Sequence, residues 1–495
     1  MSTPPRVFRS PKRTADLVQI AGSSAEISVV PSRFNAHTVA ADGSLILFNS
    51  YSAAFSIFPP HARDQVEFLL RRAGARVPAS GVSRYLLERG FLVAKGTDEL
   101  QRVRYLFGQL QYRSDLMELI LLASEECNFR CVYCYETFPR GTMEEWVRSA
   151  VVRWVEAKVR TLSQIKLEWF GGEPLLGYEA IRDIAPHVQR IAKDNDVHYH
   201  SSMTTNGYLL TEETFASLVN WGINTFQITL DGPQECHDAK RPLAGGGSTY
   251  EQILTNLLAA SRSSYDFHIF LRINFDHDNL PYVPEYMSFL KDRFGNDRRF
   301  ELRFYPVGQW GGENDEKLQV CGRGGVGERQ ALELMAIEHG IQTETHFDHM
   351  HPSKGLNVCY AARPYSFIVG ADGKLMKCTI ALDKKDYNIV GSLSRKGSPH
   401  IDIDKLARWI APYFEDDAVC KSCFFLPTCQ GTSCPLERIE NDTRPCPSEK
   451  TQIGPTLKAL WSEHRARARQ HSVDVGDARP QELSPEENAV AAACE

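Results

Sequence analysis

The chain has 495 residues, 42% hydrophobic and 24% charged, and a formal net charge of −6 at pH 7. These values are ordinary for globular domains, set an expectation of two or three of them, and argue against a large generic nucleic-acid surface. No apolar run reaches bilayer length and the first residues lack a signal-peptide core, so a soluble cytoplasmic protein without a membrane role is expected.

Residues 1–24 are rich in Ser, Pro and Arg and read as a flexible tail. A small unit is expected over 25–113. Within it, DGSLILFNS predicts a strand entered by an Asp-Gly turn, QVEFLLRRAG a helix ending at Gly74, and SRYLLERGFLV a helix running into a strand. TDELQRVRYLFGQLQYR predicts a further helix with Thr97 as its N-cap. Between 114 and 310 six apolar runs follow, at 116–124, 164–170, 197–203, 224–229, 267–273 and 301–307. Helix-like segments such as EEWVRSAVVRWVEAKV and YEAIRDIAPHVQRIAKD separate them. Strands alternating with helices in this way predict an α/β fold, a partial (β/α)6 barrel with reactive groups on the loops after the strands. Residues 311–350 are Gly-rich and charged and read as a connecting segment. Residues 351–450 carry many cysteines, and 451–495 read as a helix giving way to a disordered tail after about 465.

Thirteen cysteines in a chain with no secretory signal point to metal binding or catalysis before disulfides. Ten fall in two clusters, while Cys236, Cys321 and Cys494 stand apart. The first cluster, CNFRCVYC, puts Cys127, Cys131 and Cys134 on one loop. A structural zinc site wants four ligands, commonly as two separated pairs. Three thiolates on one loop suit a cubane iron–sulfur cluster whose fourth iron stays open to an external ligand.

CNFRCVYC resembles the signature of the radical S-adenosylmethionine (SAM) enzymes. The resemblance implies that the open iron chelates SAM, and that an electron from the cluster yields methionine and a 5′-deoxyadenosyl radical. It also implies positions for the SAM contacts, one loop per successive strand. Tyr133 corresponds to an aromatic beside the adenine, or is a packed loop aromatic. Gly171, Gly172, Glu173 and Pro174 (FGGEP) follow the second strand, where the family meets the SAM amino group. Thr205 and Asn206 (TTNGY) and Thr229 and Asp231 (TLDGP) fall near the ribose, the former pair also reading as a plain Asn-Gly turn. Arg272 on the fifth strand would pair with the SAM carboxylate or serve in a structural ion pair. His237, Asp238 and Arg241 read as structural.

The second cluster, with ADGKLMKC and CKSCFFLPTCQGTSC, resembles the SPASM extension of that family, which binds two auxiliary four-iron, four-sulfur clusters. The resemblance implies Cys359, Cys378 and Cys434 for the first and Cys420, Cys423, Cys429 and Cys446 for the second. Cys429 and Cys434 are separated by four residues where the family usually has three. Cys321 is a candidate for the missing ligand of the first cluster, and Cys236 and Cys494 read as free thiols.

The 25–113 unit resembles the winged-helix-like peptide-recognition elements of peptide maturases, or is a cap on the barrel. Together these resemblances imply a maturase of a ribosomally made precursor peptide or small protein. It would form a thioether or a C–C or C–O cross-link, and a flavodoxin- or ferredoxin-like donor would reduce it. Alternatives are a peptide epimerase or other C–H modification, an anaerobic sulfatase-maturating enzyme, and an iron–sulfur electron carrier. In the sulfatase maturases an aspartate follows the cysteine matching Cys378, whereas Thr379 follows it here. No catalytic base is assigned.

Overall fold

Apolar strand runs that alternate with helical segments dictate a parallel sheet with helices packed on it. In the computed structural model the described residues are 26–474, apart from 73, 79–80, 139, 345 and 353–356. The expected tails at 1–24 and beyond 474, with Cys494, lie outside them. The chain divides into two units. One comprises residues 112–344 and 360–411, and the other 1–111, 345–359 and 412–495.

The first of these holds the barrel. Strands β7 (Leu116–Ser124), β8 (Gln164–Gly171), β9 (His198–Thr205), β10 (Ile223–Thr229), β11 (His268–Phe275) and β12 (Phe300–Pro306) are parallel and adjacent in chain order. They match the six expected runs to within a few residues. On β8, Ile165, Leu167 and Trp169 are buried, while Lys166, Glu168 and Phe170 are half-buried on the other face, the period-2 pattern of a strand. The run YEAIRDIAPHVQRIAKD forms one helix, Tyr178–Asp194, whose buried Ala180, Ile181, Ile184, Ala185, Val188 and Ile191 recur at helical spacing. The sheet does not stop at β7. Strand β13 (Ser366–Val369) pairs parallel to it, and β14 (Lys374–Met376), β15 (Ile389–Leu393) and β16 (Pro399–Ile401) extend the sheet antiparallel to ten strands. The hairpin carrying Cys378 is therefore part of the barrel sheet.

The second unit starts with β1 (Glu26–Pro31), β2 (Asn35–Val39), β3 (Leu45–Asn49), β4 (Ala54–Phe58), β5 (Ala75–Pro78) and β6 (Leu92–Ala94). They make two antiparallel sheets, β5-β1-β6 and β2-β3-β4. Every residue of β3 is buried, and the pleat divides them. Leu45 and Leu47 join a core with Val29, Val66, Leu86 and Phe91. Ile46 and Phe48 join another with Met350, Phe425, Leu457 and Leu460. The C-terminal cysteine segment, too short of apolar residues for its own core, thus shares one with the N-terminal sheet. A further cluster sets Phe34, Val103 and Phe107 against Phe414 and Leu426, and Arg104 grips Glu415 through two hydrogen bonds of 2.7 and 2.9 Å. The N-terminal segment to residue 111 and the C-terminal segment from 412 thus belong to one unit.

Two local expectations shift. The helix Glu99–Gln111 is capped by Asp98, whose carboxylate accepts the Gln101 N–H at 2.9 Å, and not by Thr97. Glu99 accepts from Ser32 Oγ at 2.5 Å and the Arg33 N–H at 3.0 Å, which fixes where the helix starts. The C-terminal helix runs on to Asp474, past the point where disorder was expected. No helix among the described residues is long and apolar enough to cross a membrane.

Because Phe48 is fully buried between the two ends of the chain, Phe48→Ala should cost about 3–5 kcal/mol. A thermal unfolding scan should show a lowered midpoint, whereas Phe68→Ala, at a position 56% exposed, should stay within about 0.5 kcal/mol of the parent.

Candidate functional site

Strand β7 ends at Ser124 and runs into the loop bearing Cys127, Cys131 and Cys134, all three partly exposed. Main-chain bonds zip this loop to residues 240–244. Arg130 N–H donates to Pro242 O, Val132 N–H to Lys240 O and Ala244 N–H to Asn128 O, at 2.7–2.9 Å. Burial pushes the Cys127 thiol up to about 12 and Cys134 up to about 11, and negative charge on Glu173 or Glu136 and on the other cysteines adds to it. Cys131 is also pushed up by burial, with Arg241 opposing. A bound cationic centre would hold these three as thiolates.

The two glycines of FGGEP are required by that loop. A Cβ on Gly171, whose φ is +120°, would lie 2.1 Å from Ser124 O, and one on Gly172 2.4 Å from Glu126 O. The end of β8 therefore lies directly against the cysteine loop, and Gly172 N–H and Glu173 N–H bond to Ser124 O and Glu126 O at 3.1 and 2.8 Å. Pro174 begins the turn that follows.

Glu173 has no solvent exposure. Its carboxylate accepts from the Leu175 N–H at 3.0 Å, Thr205 Oγ1 at 2.7 Å and the Asn206 N–H at 2.7 Å. Burial pushes its pKa up and these donors oppose the shift. The structure thus brings Glu173, Thr205 and Asn206 together as partners of one another, and Asn206 Nδ2 reaches Asn128 Oδ1 of the cysteine loop at 2.8 Å.

A second buried carboxylate, Asp231, follows β10. It accepts from the Tyr133 hydroxyl and from the Asn274 N–H at 2.8 Å. Tyr133 Oη in turn accepts from Arg241 Nη1 at 2.8 Å and Asn274 Nδ2 at 3.1 Å. Tyr133 is held by its hydroxyl. His237 Nδ1 accepts the Asp231 N–H at 3.2 Å, and burial holds its pKa down at about 3. Asp238 accepts from Ser248 Oγ and the Thr249 and Tyr250 N–H groups, capping the helix Tyr250–Arg262. Thr229 closes β10 and is buried. Arg272 lies within β11, stacks on Tyr305 at 4.4 Å and bonds Asn274 Oδ1 at 2.6 Å. Asn274 and Asn128 were not singled out from sequence. An isolated asparagine carries no spacing signal.

Of the C-terminal cysteines, Cys378 belongs to the barrel unit and Cys359 and Cys434 to the other. Buried Asn388 clamps the Cys378 turn, accepting its N–H at 2.8 Å and donating to its carbonyl at 2.9 Å. Cys359 N–H bonds Thr432 O at 3.1 Å and Ser433 Oγ bonds Asn357 O at 3.0 Å, so the Cys359 and Cys434 segments run side by side. Cys321 is buried, and the charges it senses are Glu328 and Asp276. Cys236 is half-buried in the cavity beside Lys240 and Asp276.

Cys420, Cys423, Cys429 and Cys446 line one cavity together with Arg438, Arg444 and Lys450. Burial pushes Cys429 up to about 12, with negative charge on the other three adding to it. Four cysteine sulfurs lining one cavity are the donor set that a four-iron, four-sulfur cluster takes. The next residue, Gln430, is fully buried with both amide atoms unpartnered.

The model of the radical SAM superfamily matches residues 121–290. Residues 121–290 form a radical SAM domain. The matched span contains Cys127, Cys131, Cys134 and every expected SAM contact, and the family implies SAM and a four-iron, four-sulfur cluster. The chain is 27% identical over 200 residues to a cysteine-type anaerobic sulfatase-maturating enzyme of Clostridium novyi, covering 39% of this chain and 51% of the relative. It is 28% identical over 163 residues to a GTP 3′,8-cyclase of Xanthomonas campestris pv. campestris, covering 32% and 46%. An uncharacterised protein of Methanocaldococcus jannaschii is 25% identical over 175 residues, covering 35% and 58%. The chain thus spans about half the length of the curated relatives it matches. Among solved structures, anSMEcpe with bound AdoMet and the Cp18Cys peptide aligns over 73% of this chain and 98% of its own, at 17% identity and a TM-score of 0.48. Streptococcus suis SuiB aligns over 84% and 97%, at 12% identity and the same score.

Glu173→Gln in the radical SAM domain would turn an accepting oxygen into a donor facing donors, and should cost about 1–3 kcal/mol. Lowered unfolding midpoints with and without reconstituted iron would check it.

Proposed function

We propose that the chain is a radical SAM peptide maturase, which cleaves SAM reductively and abstracts hydrogen from a peptide or small protein. The observation that carries this reading is the three-cysteine loop laid against Gly171 and Gly172 at the mouth of a parallel barrel. Cys127, Cys131 and Cys134 would hold the four-iron, four-sulfur cluster. When bound, that cluster and SAM supply the electron transfer and radical chemistry. Glu173 and Asp231, saturated by their neighbours, keep the strand-end loops in register around the cofactor. Tyr133, Thr205, Asn206, Thr229 and Arg272 are proposed to face it. With Glu173 tied up, a ligand ammonium there would be met by main-chain carbonyls at the end of β8. The cavity lined by Cys420, Cys423, Cys429 and Cys446 fits an auxiliary cluster, and a flavodoxin- or ferredoxin-like donor would supply electrons.

Two features support a peptide or protein substrate. Three of the relatives are sulfatase-maturating enzymes by name. In the sheet β5-β1-β6 each outer strand pairs only with β1 among the described residues, which leaves edges to which an extended peptide can add. Thr379 in place of the aspartate expected of a sulfatase maturase favours a cross-linking or epimerising enzyme over that reaction.

Anaerobically reconstituted protein, dithionite and SAM should give 5′-deoxyadenosine, and Cys131→Ala should lower its formation by at least about a hundredfold, a barrier change of about 2.7 kcal/mol or more. Retained cleavage in that variant would remove the site assignment. Mass spectrometry of a coexpressed precursor peptide should then show loss of two hydrogens for each cross-link, against unchanged mass for an epimerase.

A further inference from the structure

Three cations line the four-cysteine cavity, and two of them reach its sulfurs. Arg438 Nη2 donates to Cys420 Sγ at 3.3 Å and Lys450 Nζ to Cys446 Sγ at 3.5 Å. Arg438 is fixed on three further sides. Its Nε bonds Gly431 O at 3.3 Å, its Nη1 reaches Asp417 Oδ2 at 3.4 Å, and its guanidinium stacks on Tyr413 at 5.1 Å. Asp417 orders the group. Its Oδ1 accepts the N–H groups of Val419 and Cys420 at 3.0 and 3.1 Å, and its Oδ2 accepts Arg444 Nε at 2.6 Å. One carboxylate thus positions Cys420 and the two arginines together, leaving three cations against one anion. The three-cysteine loop has the opposite balance, with Glu173 and Glu136 acting on its thiols and Arg241 opposing.

We propose that Arg438, seconded by Lys450 and Arg444, is a positioning residue that favours the reduced state of a cluster held by Cys420, Cys423, Cys429 and Cys446. This rests on the reading that these cysteines bind a four-iron, four-sulfur cluster. Such a cluster with four thiolates is already anionic, and one-electron reduction adds a further negative charge. A fixed cation donating an N–H to a ligand sulfur stabilises the more negative state more strongly, which raises the reduction potential.

The test is an EPR-monitored redox titration with dithionite and mediators. It uses the full chain, reconstituted with iron and sulfide in a Cys127→Ala/Cys131→Ala/Cys134→Ala background. The signal of this site is the one that Cys423→Ala abolishes. At the parent's midpoint, Arg438→Met should lower the reduced-to-oxidised ratio about tenfold, a shift of about 59 mV for one electron. Lys450→Met, at the solvent rim, should lower it about threefold, and Arg438→Lys should fall between Arg438→Met and the parent. Should Arg438→Met fail to retain iron, Lys450→Met alone decides. A ratio unchanged or raised in an iron-loaded variant overturns the inference while leaving the cluster reading standing. If Cys423→Ala abolishes no signal, the cluster reading fails and the inference with it.

Discussion

The barrel site depends on one close approach. Where β8 ends, its main chain and that of the cysteine loop lie too near for any side chain between them. Built Cβ atoms on Gly171, Gly172 and Gly177 would fall 2.1, 2.4 and 2.1 Å from carbonyl oxygens of Ser124, Glu126 and Ala123. Only glycine permits this contact, and through it the first two strand-end loops become one rigid piece. A cluster ligated by that loop would inherit its position from the second strand, not from the loop's own stiffness.

Two buried carboxylates extend this joining around the barrel. Glu173 ties the second loop to the third through Thr205 and Asn206, and Asp231 ties the fourth strand to the cysteine loop and the fifth strand through Tyr133 and Asn274. A carboxylate with no access to water must be satisfied by donors from the protein. Each therefore fixes a particular arrangement of loops, since any other would strand a buried charge.

Much of the barrel was legible because its signals are local. The strands are short apolar runs that alternate with helix-like segments, the run 178–194 keeps helical spacing through Pro186, and CNFRCVYC places three cysteines within eight residues. The cap at Asp98 was misread because Thr97 and Asp98 are both good capping residues. The choice was made by Glu99 bonding to Ser32 and Arg33, more than sixty residues away in sequence. The strands β13 to β16 were missed since they are short, three to five residues each, and gain their stability from pairing with β7 and one another.

The sequence by itself determined the alternating barrel, the two cysteine clusters and the positions of the strand-end loops, because each is written in spacing over a few turns or strands. Tertiary structure alone decided that β3 serves two cores, that the C-terminal cysteines share one with the N-terminal sheet, and that Glu173 turns inward to its neighbours. It also placed Arg438 on the sulfur of Cys420. These depend on burial and on the satisfaction of polar groups between segments hundreds of residues apart or across a folded turn, and no local pattern encodes which partner a buried group will find.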